Sequence, residues 1–168
     1  MRNRKSTLVG ISALVMTIVA SCGTGRGIGA GMQTTITVEQ AEQRVEDYFR
    51  KALAVLPAQA RPEAGLIHTV ECDDPTDNGP KGRKIASVNY EIHDLPPKEY
   101  PTYVADLEQW WLDHNFRILD DERPVYESIW VENNDDGFRM RIEANDIGGL
   151  FLIATSPCVW TNGTPEPE

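Results

Sequence analysis

An α+β fold follows from three features of the sequence: two helices on one face of a mostly antiparallel sheet of five to six strands, in the order αββαββββ. Two segments repeat their apolar residues at spacings of three and four, the period of a helical face. Several others alternate apolar and polar residues, the period of a strand with one covered side. The last strands are separated by the turn-rich stretches NNDDG and NDIGG, which join antiparallel neighbours.

The first helix opens at Thr37-Val-Glu-Gln40, a capping box in which the threonine oxygen and glutamine side chain satisfy amides left bare at a helix start. Val38, Ala41, Val45, Tyr48, Phe49, Ala52 and Val55 then form one apolar face, and Pro57 ends the element. Residues 58–65 read as a loop and 66–72 as a short strand. Ala86, Val88, Tyr90 and Ile92 alternate with Ser87, Asn89 and Glu91, which predicts a strand with one covered face. Between these two strands CDDPTDNGPKG is dense in turn residues and reads as a hairpin connection. The spacing of Tyr103, Val104, Leu107, Trp110, Trp111 and His114 predicts a second helix over 99–114, with Pro101 in its first turn and Asn115 at its stop. Strands are expected at 116–119, 125–131, 138–144 and 150–155.

The chain has 168 residues, 40% of them apolar, enough to bury one core. It carries 26 acidic against 16 basic residues. No concentrated basic face is visible, which argues against nucleic acid as a partner.

The first residues differ from the rest. Arg2, Arg4 and Lys5 precede an apolar run from Leu8 to Val19, too short to span a membrane but suited to a secretory signal. Val19-Ala20-Ser21-Cys22 resembles the lipobox of bacterial lipoproteins. That resemblance implies a diacylglyceryl thioether on Cys22 and cleavage after Ser21, so that 1–21 is a signal peptide and the protein is held by lipid at the extracytoplasmic face of the cell membrane. Loss of three basic residues takes the net charge from −10 to −13, so the acyl chains rather than the acidic surface would hold the bilayer. Gly25-x-Gly27-x-x-Ala30 formally fits a loose dinucleotide fingerprint but lacks the strand before it and the helix after it. Residues 22–35 read instead as a lipidated, Gly-rich tether, 36–160 as the single folded domain and 161–168 as a disordered tail.

With Cys22 acylated, Cys72 and Cys158 are left to pair, in a compartment where disulfides persist. The bond predicts that the first and last strands are neighbours. A redox or metal-binding thiol pair is disfavoured by the lack of a C-x-x-C motif or histidine cluster.

Other patterns favour bland readings. Glu132-x-Asn134-x-Asp136-Gly137-x5-Glu143 nearly matches a calcium loop, but it starts on Glu and its flanks alternate like strands. A hairpin turn with Gly137 at positive φ is the expectation. Asp73, Asp74, Asp77 and Asn78 read as a solvated acidic loop. His68, His93 and His114 fall on different elements, and no nucleophile elbow, metalloprotease motif or free catalytic cysteine is present. Of Trp110 and Trp111, Trp110 lies off the central line of its helix and is the one expected to be partly exposed. Asn162-Gly-Thr164 matches a glycosylation acceptor within the tail.

Asp136-Gly137-Phe138, Gly149-x-Phe151 and Thr155-Ser156-Pro157-Cys158-Val159 resemble the C-terminal half of a group of small uncharacterised actinobacterial lipoproteins. The layout is similar too: lipobox, first helix, a cysteine after the first strand, and a Trp-bearing second helix as in Glu108-Gln109-Trp110-Trp111. That group has a Gly-aromatic pair after its second helix, where this chain has Asn115-Phe116, still suited to a left-handed C-cap. The resemblance implies fold and anchoring; it brings no activity and no cofactor. The expectation is a non-enzymatic binding or interaction domain whose partners are membrane lipid, through Cys22, and an unidentified envelope protein or ligand. An envelope hydrolase or transferase and a calcium-stabilised module are the alternatives.

Overall fold

A computed structural model describes residues 34–63, 67–72 and 79–165. Cys22, most of the tether and the acidic segment Asp73, Asp74, Asp77 and Asn78 lie outside these residues. The described chain is α+β. Helices α1 (Val38–Leu53) and α2 (Tyr100–Asp113) accompany seven strands: β1 (Arg61–Glu63), β2 (His68–Glu71), β3 (Lys84–His93), β4 (Phe116–Asp121), β5 (Ser128–Asn133), β6 (Arg139–Ala144) and β7 (Leu150–Thr155). They form one sheet in the order β1-β3-β7-β6-β5-β4, with β2 also paired to β3 and every pairing antiparallel.

The capping box forms as expected: Gln40 N donates to Thr37 Oγ1 at 3.2 Å and Thr37 N donates to Gln40 Oε1 at 3.0 Å. α1 buries Ala41, Val45, Phe49 and Ala52 against β3 and β7. α2 buries Tyr103, Val104, Leu107 and Trp111 over β4, β5 and β6. Both helices therefore cover the same face of the sheet. The strands meet them with Val88, Leu152, Ile142, Met140, Ile129 and Val131, all buried. Asn115 ends α2 at φ 63° and Gly137 turns β5 into β6 at φ 71°. Both are the left-handed positions that the sequence reading placed there.

Four expectations are corrected. Residues 61–63 form a strand where a loop was expected, which brings the sheet to seven strands rather than five to six. A three-residue edge segment centred on Pro62 offers no readable alternation, and proline is tolerated because an edge leaves its missing donor unneeded. Val125 and Tyr126, expected in a strand, lie in a turn in which both of their amides donate to Glu122 O at 3.1 Å. They sit directly after Pro124, and a turn there exposes apolar side chains that would have suited a strand. The first and last strands are not neighbours either: β2 and β7 pair with opposite edges of β3. Finally, the fold continues past Trp160 into the expected tail. Thr35 N donates to Gly163 O at 2.8 Å and Val38 N to Thr161 O at 3.3 Å, so 161–163 close over the entry of the chain into the domain.

The disulfide between Cys72 and Cys158 is present, with Cα atoms 5.6 Å apart. It does so without strand pairing: Cys72 N donates to Arg83 O, Lys84 bridges Val159 on its other side, and the bond spans the end of β3.

Candidate functional site

Because both helices lie on one face, the other face of the sheet is left uncovered by the described residues. Register places Asp120, Trp130, Arg141, Ile153 and Asn89 side by side across it, one from each of five adjacent strands. A second row, Arg117, Glu132, Arg139, Thr155 and Ser87, runs beside the first. Alternation explains this directly, since Ile129, Val131, Met140 and Ile142 face the helices and their neighbours must face outward.

The uncovered face is organised by ion pairs. Glu132 takes Arg139 Nε at 2.8 Å and also pairs with Arg117. Arg141 donates to Ser128 Oγ at 3.1 Å and to Glu122 at 3.0 Å, with Glu143 2.9 Å away. The three arginines therefore spend their charge within the sheet. Trp130 stands 40% exposed, with the Arg139 guanidinium 5.5 Å from its ring centroid.

Two adjoining hollows open here. The larger, about 310 Å³, lies among Glu122, Tyr126, Ser128, Arg141, Glu143 and Asp146, and the smaller, about 160 Å³, reaches Asp120 and Trp130. They share Glu122, Ser128 and Arg141, so together they make one trough. At its rim Val125 is 76% exposed and Ile147, at the tip of the β6–β7 turn, 93%. The side chains of Asp120, Asp146 and Tyr126 make no hydrogen bond or ion pair among the described residues. Nothing in the sequence reading singled out this trough.

The loop beside it is pinned to α2. Arg123 donates to Asp121 at 2.7 and 2.8 Å and to Glu108 at 2.8 Å. The Arg123 hydrogen bond holds the Asp121 carboxyl down at about 2. A carboxyl lowered on folding adds stability above its ordinary value near 4, and that stability is lost as pH falls towards 2. Asp121→Asn is therefore expected to destabilise the domain at pH 7 by no more than about 1 kcal/mol for a solvent-screened pair, read as a lower melting temperature. The two melting curves should converge by about pH 2.

A second hollow, about 350 Å³, lies between α1 and the β5–β6 turn. There Tyr48 donates to Asp136 at 3.0 Å and Arg44 approaches the same carboxylate at 3.3 Å. Burial, then the hydrogen bond to Asp136, raises the Tyr48 hydroxyl well above its ordinary value and keeps it a donor. This turn holds the residues of the near-calcium pattern, and it is a hairpin. Glu132 is engaged by Arg117 and Arg139, Asn134 by Asn115, and Asp136 by Arg44 and Tyr48. A third hollow lies along the outer side of α1, where Glu42 and Glu46 accept from Thr69 and Tyr90.

The three histidines stay apart. His68 lies on β2, His93 ends β3 with Nε2 2.9 Å from Glu63 but no hydrogen bond, and His114 follows α2. Trp111 is wholly buried, whereas Trp110 is partly exposed and stacks on His114 at 4.4 Å. No group of three or more metal-binding side chains is assembled among the described residues, and no helix among them is long and apolar enough to cross a membrane. Compared with known protein families, curated proteins and solved structures, the chain matches none.

Proposed function

We propose that the protein is a lipoprotein, held at the extracytoplasmic face of the cell membrane through acylated Cys22, whose domain binds an envelope partner rather than catalysing a reaction. The observation that carries the binding role is where the three most exposed of the large apolar side chains among the described residues lie relative to the tether. The chain enters the domain at Thr35, which hydrogen-bonds Trp160 and Gly163 just beyond the C-terminal end of β7. Val125, Tyr126 and Ile147 gather at the opposite end, where Ala144 N donates to Glu127 O. The six residues of β7 put roughly 20 Å between the two ends. A lipid-tethered domain so oriented turns its apolar tip and the trough away from the bilayer. Monomeric proteins seldom expose such side chains together without a partner for them.

Intact-mass measurement tests the anchor. The wild-type chain is expected to begin at Cys22 and carry the added mass of a diacylglyceryl group, whereas Cys22→Ala retains residues 1–21. A wild-type chain that begins elsewhere and lacks the lipid removes the anchor from the reading. A photo-crosslinking residue in place of Val125 tests the binding role on intact cells. One discrete adduct is expected from position 125 and none from position 102, an exposed site on α2. Equal labelling from both positions, or none, counts against a partner at the tip.

A further inference from the structure

We infer that the uncovered sheet face receives a basic protein segment, whose lysine or arginine side chains are taken by Asp120 with Trp130 at one end of the trough and by Asp146 with Tyr126 at the other. The inference rests on the binding role just proposed and names the occupant of its surface. Charge complementarity selects that occupant. Four carboxylates, Asp120, Glu122, Glu143 and Asp146, line the two hollows against one cation, Arg141. Arg141 is already bound by Glu122 and Glu143. Asp120 and Asp146 make no ion pair among the described residues, and each lies beside an exposed aromatic ring.

A carboxylate next to an aromatic face suits an ammonium or guanidinium group, which gains from both the charge and the ring quadrupole. Trp130 already accepts one such contact from Arg139, so its ring is oriented for cations within the fold itself. Anionic partners meet the opposite: a mature net charge of −13 repels them at long range and draws a basic segment in. The apolar rim of Val125 and Ile147 supplies area for the uncharged residues that flank the basic ones.

The test titrates the full chain in nonionic detergent with an alternating lysine–alanine peptide, with spermine and with a neutral oligosaccharide, at low and moderate salt. The peptide is expected to bind and to shift the Trp130 indole resonance, more weakly as salt rises. Asp120→Asn with Asp146→Asn should weaken it at least about tenfold. Glu39→Gln with Asp106→Asn removes the same charge from the helical side and should weaken it less than about threefold. Equal weakening by both pairs would reduce the effect to general attraction and overturn the assignment. So would absence of peptide binding, spermine binding as tightly as the peptide, or preference for the oligosaccharide. Crosslinks from position 125 without any response to the peptide would remove the basic occupant and leave the binding role standing; absence of both would remove the two together.

Discussion

Trp111→Ala is expected to cost the domain about 3–5 kcal/mol, a large part of the roughly 5–15 kcal/mol that holds a domain of this size. Trp111 is fully buried and heads the large side chains of the core. Its indole fills the space between α2 and the central strands, and Nε1 donates to Met140 Sδ at 3.3 Å on β6. Truncation removes the transfer energy of the ring and leaves a cavity that α2 can close only by shifting towards the sheet. The melting temperature should fall by roughly 10–20 °C. Trp110→Ala is the contrast: that ring is partly exposed, stacks on His114 just past the end of α2 and only skirts Phe116 at 6.3 Å, so about 1 kcal/mol is expected. Chemical denaturation of the two variants checks the pair. Equal losses would show that the helix, rather than the buried ring, sets the cost.

The same two tryptophans show what the sequence made legible. Helical periodicity put Trp111 on the central line of its face and Trp110 beside it, and burial follows that order. Thr37 with Gln40, Asn115 and Gly137 were legible for the same reason, since caps and turns are settled by residues within a few positions of each other. Alternation was enough to assign β3 and β6, and the NDIGG turn marked the start of the apolar run that forms β7. It failed where a segment was too short to alternate, as at Pro62, or where apolar residues followed a proline into a turn, as at Val125 and Tyr126. The trough was out of reach for a different reason. Asp120, Trp130 and Arg141 are ordinary outward-facing residues in their own strands, and only the pairing of β4, β5 and β6 sets them in a row. Strand register joins residues far apart in sequence, and local patterns carry no record of it. The disulfide illustrates both sides: the cysteines to be joined could be named, but the strand lying between them could not.

Replacing Cys72 and Cys158 together by serine is expected to destabilise the domain by about 4–5 kcal/mol on the chain-entropy account, since the bond closes a loop with a sequence separation of 86. The structure also says where the loss should appear first. All four residues of β2 are exposed, and among the described residues the strand is paired to β3 along one edge only. Besides that ladder it is held by surface contacts, Thr69 to Glu42 on α1 and Lys84 to Glu71, and by the disulfide at its end. Such contacts between exposed groups contribute little each. Without the covalent tie β2 has almost no buried apolar surface to keep it in place, whereas β5, β6 and β7 retain the whole helix-covered core. Amide exchange in the double variant, or in the wild type after reduction, should therefore quicken first at residues 69–71 while the amides of Ile142 and Leu152 keep most of their protection. Uniform acceleration across the sheet would instead mean that the bond acts on the unfolded chain alone, with β2 no more dependent on it than the central strands.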